Sequence, residues 1–346
     1  MGKVPAISTF EVGYFLSSAT ARIFRCTCPT APFFLFCRMD QIVQIGPRKR
    51  PPLPPWFRVK LPSGERLQRF QGIDAAVHEN RLHTVCEEAR CPNIHDCWSR
   101  GSATFMIAGQ TCTRNCRFCS VGHRRTPPPL DPQEPHNLAA AIDSMNLTYA
   151  VITCVNRDEL PDGGARHYRA CLDGVHARLP RVGLEFLCSD LDGNETALAA
   201  LLNGAPLKVF AHNVETVERL QSSVRDRKAS FSKSLRMLEA AKELRPEIFT
   251  KSSIMVGMGE TNADMTTTLQ ALRRVDVSLL TLGQYLAPSQ AHYPIMSYPP
   301  PEQFDAWKQE ALTMGFSAVA SGPLVRSSFR AGQLYEEAQK TANKRE

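Results

Sequence analysis

Short apolar segments alternate with amphipathic segments through most of the chain after residue 102. The apolar segments are rich in Val, Ile, Leu and Phe, as buried parallel strands are, and they are Ala103–Ala108, Tyr149–Cys154, Gly183–Leu187, Lys208–Asn213, Thr250–Val256 and Val277–Gln284. Between them the pattern predicts helices over Leu138–Ser144, Ala165–Leu179, Glu195–Leu202, Phe231–Leu244 and Asn262–Val275. Six strand and helix units in succession predict a parallel sheet with right-handed crossovers.

The strand and helix units repeat regularly, and no stretch shows a pattern typical of a second domain. This favours an α/β fold of the partial (β/α)6 TIM-like barrel type over a doubly wound sheet. In such a barrel the reactive groups lie at the carboxyl ends of the strands. The loop after the first predicted strand is therefore the first place to look for chemistry.

Basic residues are concentrated at the amino-terminal end. Residues 1–50 carry seven basic and two acidic side chains, which accounts for +5 of the net charge of +7. The remaining residues are nearly balanced, so a basic nucleic-acid groove on the folded body is not expected. The first forty residues are rich in Arg, Ser and Thr and poor in acids, as organellar presequences are. No apolar run approaches the roughly 18 residues that span a bilayer, so we expect no membrane span.

These patterns divide the chain into four predicted regions. Residues 1–45 are predicted to be a transit peptide, mitochondrial or, as the alternative, plastid. Residues 46–100 form an amino-terminal extension, residues 101–322 form the barrel and residues 323–346 form a carboxyl-terminal tail.

Three cysteines lie in the loop that follows the first strand, in the sequence C-T-R-N-C-R-F-C. We name Cys112, Cys116 and Cys119 the Cys112 triplet. Three thiolates at this spacing can hold three irons of a cubane cluster and leave the fourth iron open. A zinc site is the main structural alternative, but zinc usually takes four ligands in paired C-x2-C knuckles.

Another three cysteines precede them, spaced by four and then five residues. We name Cys86, Cys91 and Cys97 the Cys86 triplet. These thiolates favour a second cluster that needs one further ligand. His95 is the local candidate for that ligand. The alternative is that His95 is an exposed loop residue without a ligand role.

The C-x3-C-x2-C spacing after a first barrel strand resembles the radical S-adenosylmethionine superfamily. The resemblance implies a [4Fe-4S] cluster whose open iron binds S-adenosylmethionine, and cluster and cofactor together supply the radical chemistry. Phe118 would then pack beside the adenine, although packing within the loop is its structural interpretation.

Further segments resemble one family in that superfamily, lipoyl synthase. The resemblance runs from about Pro54 to Gly332, and its segments are P-P-W-F-R-V-K-L-P at Pro54–Pro62, G-S-A-T-F-M-I at Gly101–Ile107, R-D-E-L-P-D-G-G-A at Arg157–Ala165, H-N-V-E-T-V at His212–Val217, G-Q-Y-L at Gly283–Leu286 and S-G-P-L-V-R-S-S-F at Ser321–Phe329.

The lipoyl synthase resemblance implies the ligand that the Cys86 triplet lacks. In the family this ligand is a serine oxygen from a carboxyl-terminal R-S-S-Y motif, which carries over to Ser328, with Ser327 as its neighbour. The Tyr of the motif is Phe329 in this chain. Serine oxygen is a harder ligand for iron than thiolate, which suits a cluster that is dismantled during the reaction.

The implied reaction inserts two sulfur atoms at C6 and C8 of an octanoyl chain carried on a lysine. The implied cofactors are two [4Fe-4S] clusters and S-adenosylmethionine, with the second cluster supplying the sulfur. The implied partners are octanoylated lipoyl carrier domains (the glycine cleavage H protein and the E2 subunits of 2-oxoacid dehydrogenases), a ferredoxin-type electron donor and iron–sulfur cluster delivery proteins.

Other positions are candidates for contacts with the cofactor or the substrate. They lie in turns or at strand ends, and they are Asp162, Gly163, Gly164, Asn213, Glu215, Gly257 and Arg326. Without a role in binding, these residues would form tight turns, cap strands or, for Arg326, lie in solvent.

Two other functions compete with the lipoyl synthase hypothesis. One is a different radical sulfur-inserting enzyme, such as a methylthiotransferase or a relative of biotin synthase, which the spacing of the Cys86 triplet disfavours. The other is a metal-storing protein that uses the six cysteines without catalysis. Iron and sulfide counting after anaerobic reconstitution separates cluster proteins from zinc proteins.

Overall fold

A curled sheet of parallel strands forms the centre of the protein. The computed structural model describes residues 52–58, 62–79, 84–88 and 91–344, so the predicted transit peptide lies outside the described residues. The strands are β1 (Ser102–Ile107), β2 (Thr111–Cys112), β3 (Gly122–His123), β4 (Tyr149–Cys154), β5 (Gly183–Leu187), β6 (Val209–Ala211), β7 (Phe249–Val256), β8 (Leu279–Gln284) and β9 (Ala318–Gly322).

Within the described residues, seven strands form the main sheet in the order β1-β4-β5-β6-β7-β8-β9, with every neighbouring pair parallel. The short β2 and β3 pair only with each other. Sequential order along the sheet is what a barrel built from repeated strand and helix units requires. The predicted α/β partial-barrel class is confirmed.

Helices occupy most of the connections between strands. They are α1 (Glu65–Glu79), α2 (Val85–Glu88), α3 (Ile94–Ser99), α4 (Glu134–Ser144), α5 (Ala165–Arg178), α6 (Glu195–Leu202), α7 (Gln221–Val224), α8 (Phe231–Leu244), α9 (Asn262–Arg274), α10 (Pro301–Thr313) and α11 (Ala331–Ala342), with short 3-10 turns at Pro55–Phe57, Leu191–Gly193 and Glu218–Leu220. No helix in the described ranges is both long and apolar enough to cross a bilayer.

All six predicted strands are present, but the prediction of six barrel strands was one short. The seventh, β9, pairs with β8 from Leu279 opposite Ala318 onwards. Its sequence, A-V-A-S-G, contains one large apolar residue, so it lacks the apolar run that marks a buried strand. The predicted fourth strand was also too long, because only Val209–Ala211 pairs in the sheet.

A buried histidine joins the carboxyl ends of β5 and β6 to α8. His212 Nδ1 donates to the backbone oxygen of Cys188 at 2.9 Å, so its Nε2 accepts from Ser234 Oγ, also at 2.9 Å. Arg225 donates to the same hydroxyl at 2.8 Å. Burial, reinforced by the charge of Arg225, lowers the pKa of His212 to about 4. The ring is therefore neutral in the folded protein at pH 7.

This histidine is expected to make folding sensitive to mild acid. Below about pH 6.5 the unfolded chain binds a proton here and the folded chain does not, so stability is lost as the pH falls from 6.5 towards 4. We expect this group to lower the free energy of unfolding by roughly 2 kcal/mol between pH 7 and pH 5. Urea unfolding at both values should show a smaller difference for His212→Gln than for the wild type, and equal differences would contradict this account.

Candidate functional site

The Cys112 triplet occupies the loop at the carboxyl end of β1. Cys112 ends β2, where it pairs with His123, and the amide of Cys119 donates to the oxygen of Cys116 at 3.1 Å. Two further amides point at sulfur: that of Arg114 lies 3.4 Å from Cys112 Sγ, and that of Asp226 lies 3.3 Å from Cys116 Sγ. Amide donors at sulfur favour the thiolate form, which is the form that ligates metal.

Two distant segments hold this loop in place. The amide of Arg117 donates to Val224 at 2.9 Å, and its carbonyl accepts from the amide of Tyr293 at 2.7 Å. His292 Nε2 lies 3.0 Å from the oxygen of Cys119 and therefore donates to it. The loop is thus fixed by backbone contacts from elements far away in the sequence.

Burial and neighbouring charges set the pKa values of the three thiols of the triplet. Burial is the main cause that raises the pKa of each, to about 11 for Cys116 and about 12 for Cys119, and charges on neighbouring thiols raise both further. Without a cation the thiols stay protonated, whereas bound iron would draw them into the thiolate form.

Neither cysteine triplet forms a ready-made site for a single metal ion. A tetrahedral zinc with Zn–S bonds of about 2.3 Å brings its sulfur ligands to about 3.8 Å from one another. Among the described residues, neither cysteine triplet has its three sulfur atoms within 4.8 Å of one another. A cubane binds each cysteine through a different iron, so its thiolates need not meet at one ion.

Arg114, inside the triplet loop, carries a buried ion network. Its guanidinium donates twice to Asp158, at 2.9 and 3.0 Å, and twice to Asp190, at 2.6 Å each. The arginine is 4% exposed. Burial acts to raise the pKa of both carboxyl groups, but the hydrogen bonds and charge of Arg114 outweigh it and lower the pKa of each. The network ties the cysteine loop to the carboxyl ends of β4 and β5.

Glu215 lies near the triplet from the end of β6. Its backbone has a φ of 65°, uncommon for a residue with a side chain, and its amide and carbonyl bond to β7 at 3.1 and 2.8 Å. Burial raises the pKa of its carboxyl group, while Arg225 and a hydrogen bond from Asn213 lower it less. Its charge in turn raises the pKa of Cys116 and Cys119. Glu215 therefore places an acidic group beside the cysteine loop.

The Cys86 triplet lines a second cavity, which we name the auxiliary cavity. Ser328 from the carboxyl-terminal segment lines it as well, and the full lining is Cys86, Cys91, Asn93, Ile94, Cys97, Ser102, Ala103, Thr104, Arg326, Ser328 and Phe329. Thr104 Oγ1 in β1 donates to Ser328 Oγ at 2.8 Å. Ser327 does not line this cavity. Three thiols and one serine hydroxyl thus face one space.

The carboxyl-terminal segment reaches this cavity by close packing against β8. A Cβ added to Gly283 would lie 2.0 Å from the oxygen of Val325, so only glycine permits this approach. Arg326 then donates to the oxygen of Gln284 at 2.9 Å. Further along, Arg330 Nε donates to Asp96 beside Cys97 at 3.1 Å. A segment from the amino-terminal part of the described chain and one from its carboxyl-terminal part therefore meet at the auxiliary cavity.

Burial governs the electrostatics of this cavity. It raises the pKa of Cys86 to about 11 and that of Cys97 to about 12, and neighbouring thiols add to both effects. Burial also raises the pKa of Cys91, which the charge of Arg326 opposes. The same burial lowers the pKa of Arg326. A cation next to buried thiols suits a site that holds thiolates together with metal.

Comparison with known proteins finds two family models that match different parts of the chain. A family model of the radical SAM superfamily matches residues 106–272, and a model of the N-terminal domain of lipoyl synthase matches residues 38–91. The mitochondrial lipoyl synthase of Trypanosoma brucei gambiense is 48% identical over 303 residues, which cover 84% of this chain and 74% of that protein.

The chain belongs to the lipoyl synthase family.

A second family member, the mitochondrial lipoyl synthase of Paracoccidioides lutzii, is 51% identical over 290 residues that cover 82% of this chain. The chain spans 65% of the length of that relative. Among solved structures, methylornithine synthase aligns with 74% of this chain and 70% of its own at 13% identity, with a TM-score of 0.48. Membership of the lipoyl synthase and radical SAM families implies the use of iron–sulfur chemistry and S-adenosylmethionine.

The lipoyl synthase resemblance also pointed to residues that the structure places in structural roles. The carboxylate of Asp162 accepts from the amides of Gly164 and Arg166 at 3.0 and 3.1 Å, at the start of α5. Gly163 and Gly164 have φ values of 61° and 93°, which only glycine adopts without strain. These contacts account for the turn, so cofactor contact here stays a prediction.

The other candidate residues make packing contacts. Gly257 has a φ of 92°, and a Cβ there would lie 2.1 Å from the Gln284 amide nitrogen, so its role is close packing. Phe118 packs against the apolar core between β7, β8 and the helices around them. The His95 ring packs against Phe70 with ring centroids 4.5 Å apart and the ring planes tilted by 50°, and His95 does not line the auxiliary cavity. Of these two candidates for the fourth ligand, only Ser328 lines the auxiliary cavity.

Sequence reasoning missed the ion network of Arg114 and the hydrogen bond from Thr104. A charged residue between two cluster cysteines was the available signal for Arg114, since a buried charge needs partners. No signal in the sequence pointed to Thr104, because its partner Ser328 is 224 positions away.

Proposed function

We propose that the chain is a lipoyl synthase, which inserts two sulfur atoms at C6 and C8 of an octanoyl group on a lysine of a lipoyl carrier domain. The observation that carries this proposal is the auxiliary cavity, which three thiols from the segment before β1 and the Ser328 hydroxyl from the segment after β9 line together. A radical enzyme that only abstracts hydrogen has no need of such a second site.

The Cys112 triplet would hold the cluster that binds S-adenosylmethionine. When bound, cluster and cofactor supply hydrogen abstraction at the two carbons. The residues of this chain position them: backbone contacts fix the loop, Arg114 ties it to β4 and β5, and Glu215 places a carboxylate next to it. A carboxylate there suits the ammonium group of the cofactor.

The Cys86 triplet and Ser328 would hold the second cluster, which supplies the sulfur. Serine oxygen binds iron less well than thiolate, so Ser328 is the ligand that lets go first as the cluster is dismantled. Thr104 donates a hydrogen bond to that oxygen and stabilises the alkoxide form that ligates iron.

The partners follow from this reaction. An octanoylated carrier domain presents the substrate, a ferredoxin-type protein supplies electrons, and delivery proteins rebuild the spent cluster. Relatives of this chain are named mitochondrial, and the basic, acid-poor residues 1–45 support import into the mitochondrion.

The proposal is tested by incubating anaerobically reconstituted protein with an octanoylated carrier peptide, dithionite and S-adenosylmethionine. We expect deoxyadenosine to form and mass spectrometry to show two sulfur atoms added to the octanoyl group. Deoxyadenosine without added sulfur would refute the proposed function and leave the radical chemistry standing.

A further inference from the structure

Exposed basic side chains lie on the outer side of the Cys112 loop. We name His123, Arg124, Arg125, Arg227 and Lys228 the loop patch, and all five are exposed. Four of them line a surface cavity together with Thr113 and Asn115 of the loop itself. The patch therefore borders the cysteine loop directly.

The acidic residues of that cavity each have hydrogen-bond partners within the protein. Asp158 bonds to Arg114, which is buried, and Glu159 pairs with Arg157 at 2.6 Å. The carboxylate of Asp226 accepts from the amides of Asn115 and Lys228 at 3.0 and 2.9 Å.

The basic side chains are in surplus by contrast. Within the described ranges, no ion pair engages Arg124, Arg125 or Arg227, while Lys228 lies 3.4 Å from Asp158. The patch therefore presents excess positive charge to solvent.

The patch also lies close to the sulfur atoms of the Cys112 triplet. The amide of Asp226 lies 3.3 Å from Cys116 Sγ, and Arg227 follows it on the surface. The amide of Arg124 donates to the oxygen of Cys112 at 3.0 Å. Electron transfer slows steeply with distance, so a carrier bound here would have a short path to the metal that these cysteines hold.

We propose that the loop patch docks an acidic protein that carries single electrons, of the ferredoxin class, to the Cys112 site. This inference rests on the proposed function, which needs one electron for each hydrogen abstracted. The carrier is oxidised by one electron and the iron held by the triplet is reduced by one, with no atom transferred. Electrostatic steering suits such a short-lived complex, because complementary charge raises the association rate and salt screens it.

The test combines two surface charge reversals with two kinds of reductant. The double variant Arg125→Glu/Arg227→Glu changes the patch and spares Lys228, which contacts the Arg114 network. Calorimetric titration with an oxidised acidic [2Fe-2S] ferredoxin at low salt should show binding at least about tenfold weaker than the wild type. Deoxyadenosine formation should fall with reduced ferredoxin as donor and stay unchanged with dithionite, which needs no docking surface.

A matched control reverses two basic residues on another face. Arg181 and Lys208 are exposed and line a cavity at the amino ends of the strands, away from the Cys112 loop. The variant Arg181→Glu/Lys208→Glu should bind ferredoxin as the wild type does.

Two results would overturn the inference: unchanged ferredoxin affinity in the patch variant, or equal weakening in the control variant. Failure of the wild type to add sulfur to the octanoyl peptide would refute the proposed function instead, and the binding comparison would stand.

Discussion

Replacing Ser328 with Ala is expected to leave S-adenosylmethionine cleavage close to the wild-type rate and to lower lipoyl product at least about tenfold. Ser328 Oγ faces the three thiols of the auxiliary cavity, and Ala removes that oxygen without adding volume. The Cys112 triplet lies in a different loop and keeps its own contacts. Deoxyadenosine and lipoyl peptide are measured in the same reaction, together with iron, which should fall below the about eight atoms of two cubanes.

Two neighbouring variants sharpen this test. Ser327→Ala changes the adjacent hydroxyl, which does not line the cavity, and should match the wild type. Ser328→Cys offers a better iron ligand and should retain iron at the auxiliary site. Unchanged product in Ser328→Ala, or an equal loss in Ser327→Ala, would refute the assignment.

Replacing Arg114 with Gln is expected to cost about 3 to 5 kcal/mol of unfolding free energy, because it leaves two buried carboxylates without their partner. Asp158 and Asp190 have side chains only 5% and 0% exposed, and each is within 3 Å of the guanidinium. The loop should also lose its attachment to β4 and β5, so iron at the Cys112 triplet and deoxyadenosine formation should fall together. Equilibrium urea unfolding measures the first effect.

Arg236 provides the matched control for Arg114. It also contacts several carboxylates, at 2.7 Å from Glu195 and 2.9 Å from Glu239, but its side chain is 44% exposed. Solvent screens such a surface network, so Arg236→Gln should change stability only slightly. In a double-mutant cycle, Asp190→Asn should cost less in the Arg114→Gln background than alone. Additive effects would contradict the proposed coupling.

The fold was predictable where local chemistry and the apolar pattern agree. The predicted bounds of Glu195–Leu202 and Phe231–Leu244 match α6 and α8, because Asn194 and Ser230 cap these helices with side-chain hydrogen bonds. The pattern failed at β9, where small residues pack against β8. The apolar pattern also did not predict α11, whose amphipathic face packs on strands from other parts of the chain.

Some residues of the candidate site could likewise be predicted from local sequence and others could not. Cysteine spacing alone marked both triplets as candidate ligands, since ligands that share one loop leave a local signature in the sequence. Ser328 came from family resemblance alone, and its position beside the Cys86 triplet depends on the approach of Val325 to Gly283. The Arg114 network joins three loops, and local sequence does not encode which loops become neighbours.

The central claim is that the two cysteine sites do different work, one abstracting hydrogen and the other supplying sulfur. A single turnover of protein reconstituted with isotopically heavy sulfide, followed by mass spectrometry of the octanoyl peptide, tests it most directly. The account predicts that both inserted sulfur atoms carry the heavy isotope in the wild type and that Cys91→Ala forms deoxyadenosine but no sulfur-containing product. Lipoyl product containing only light sulfur, or full product formation by Cys91→Ala, would contradict it.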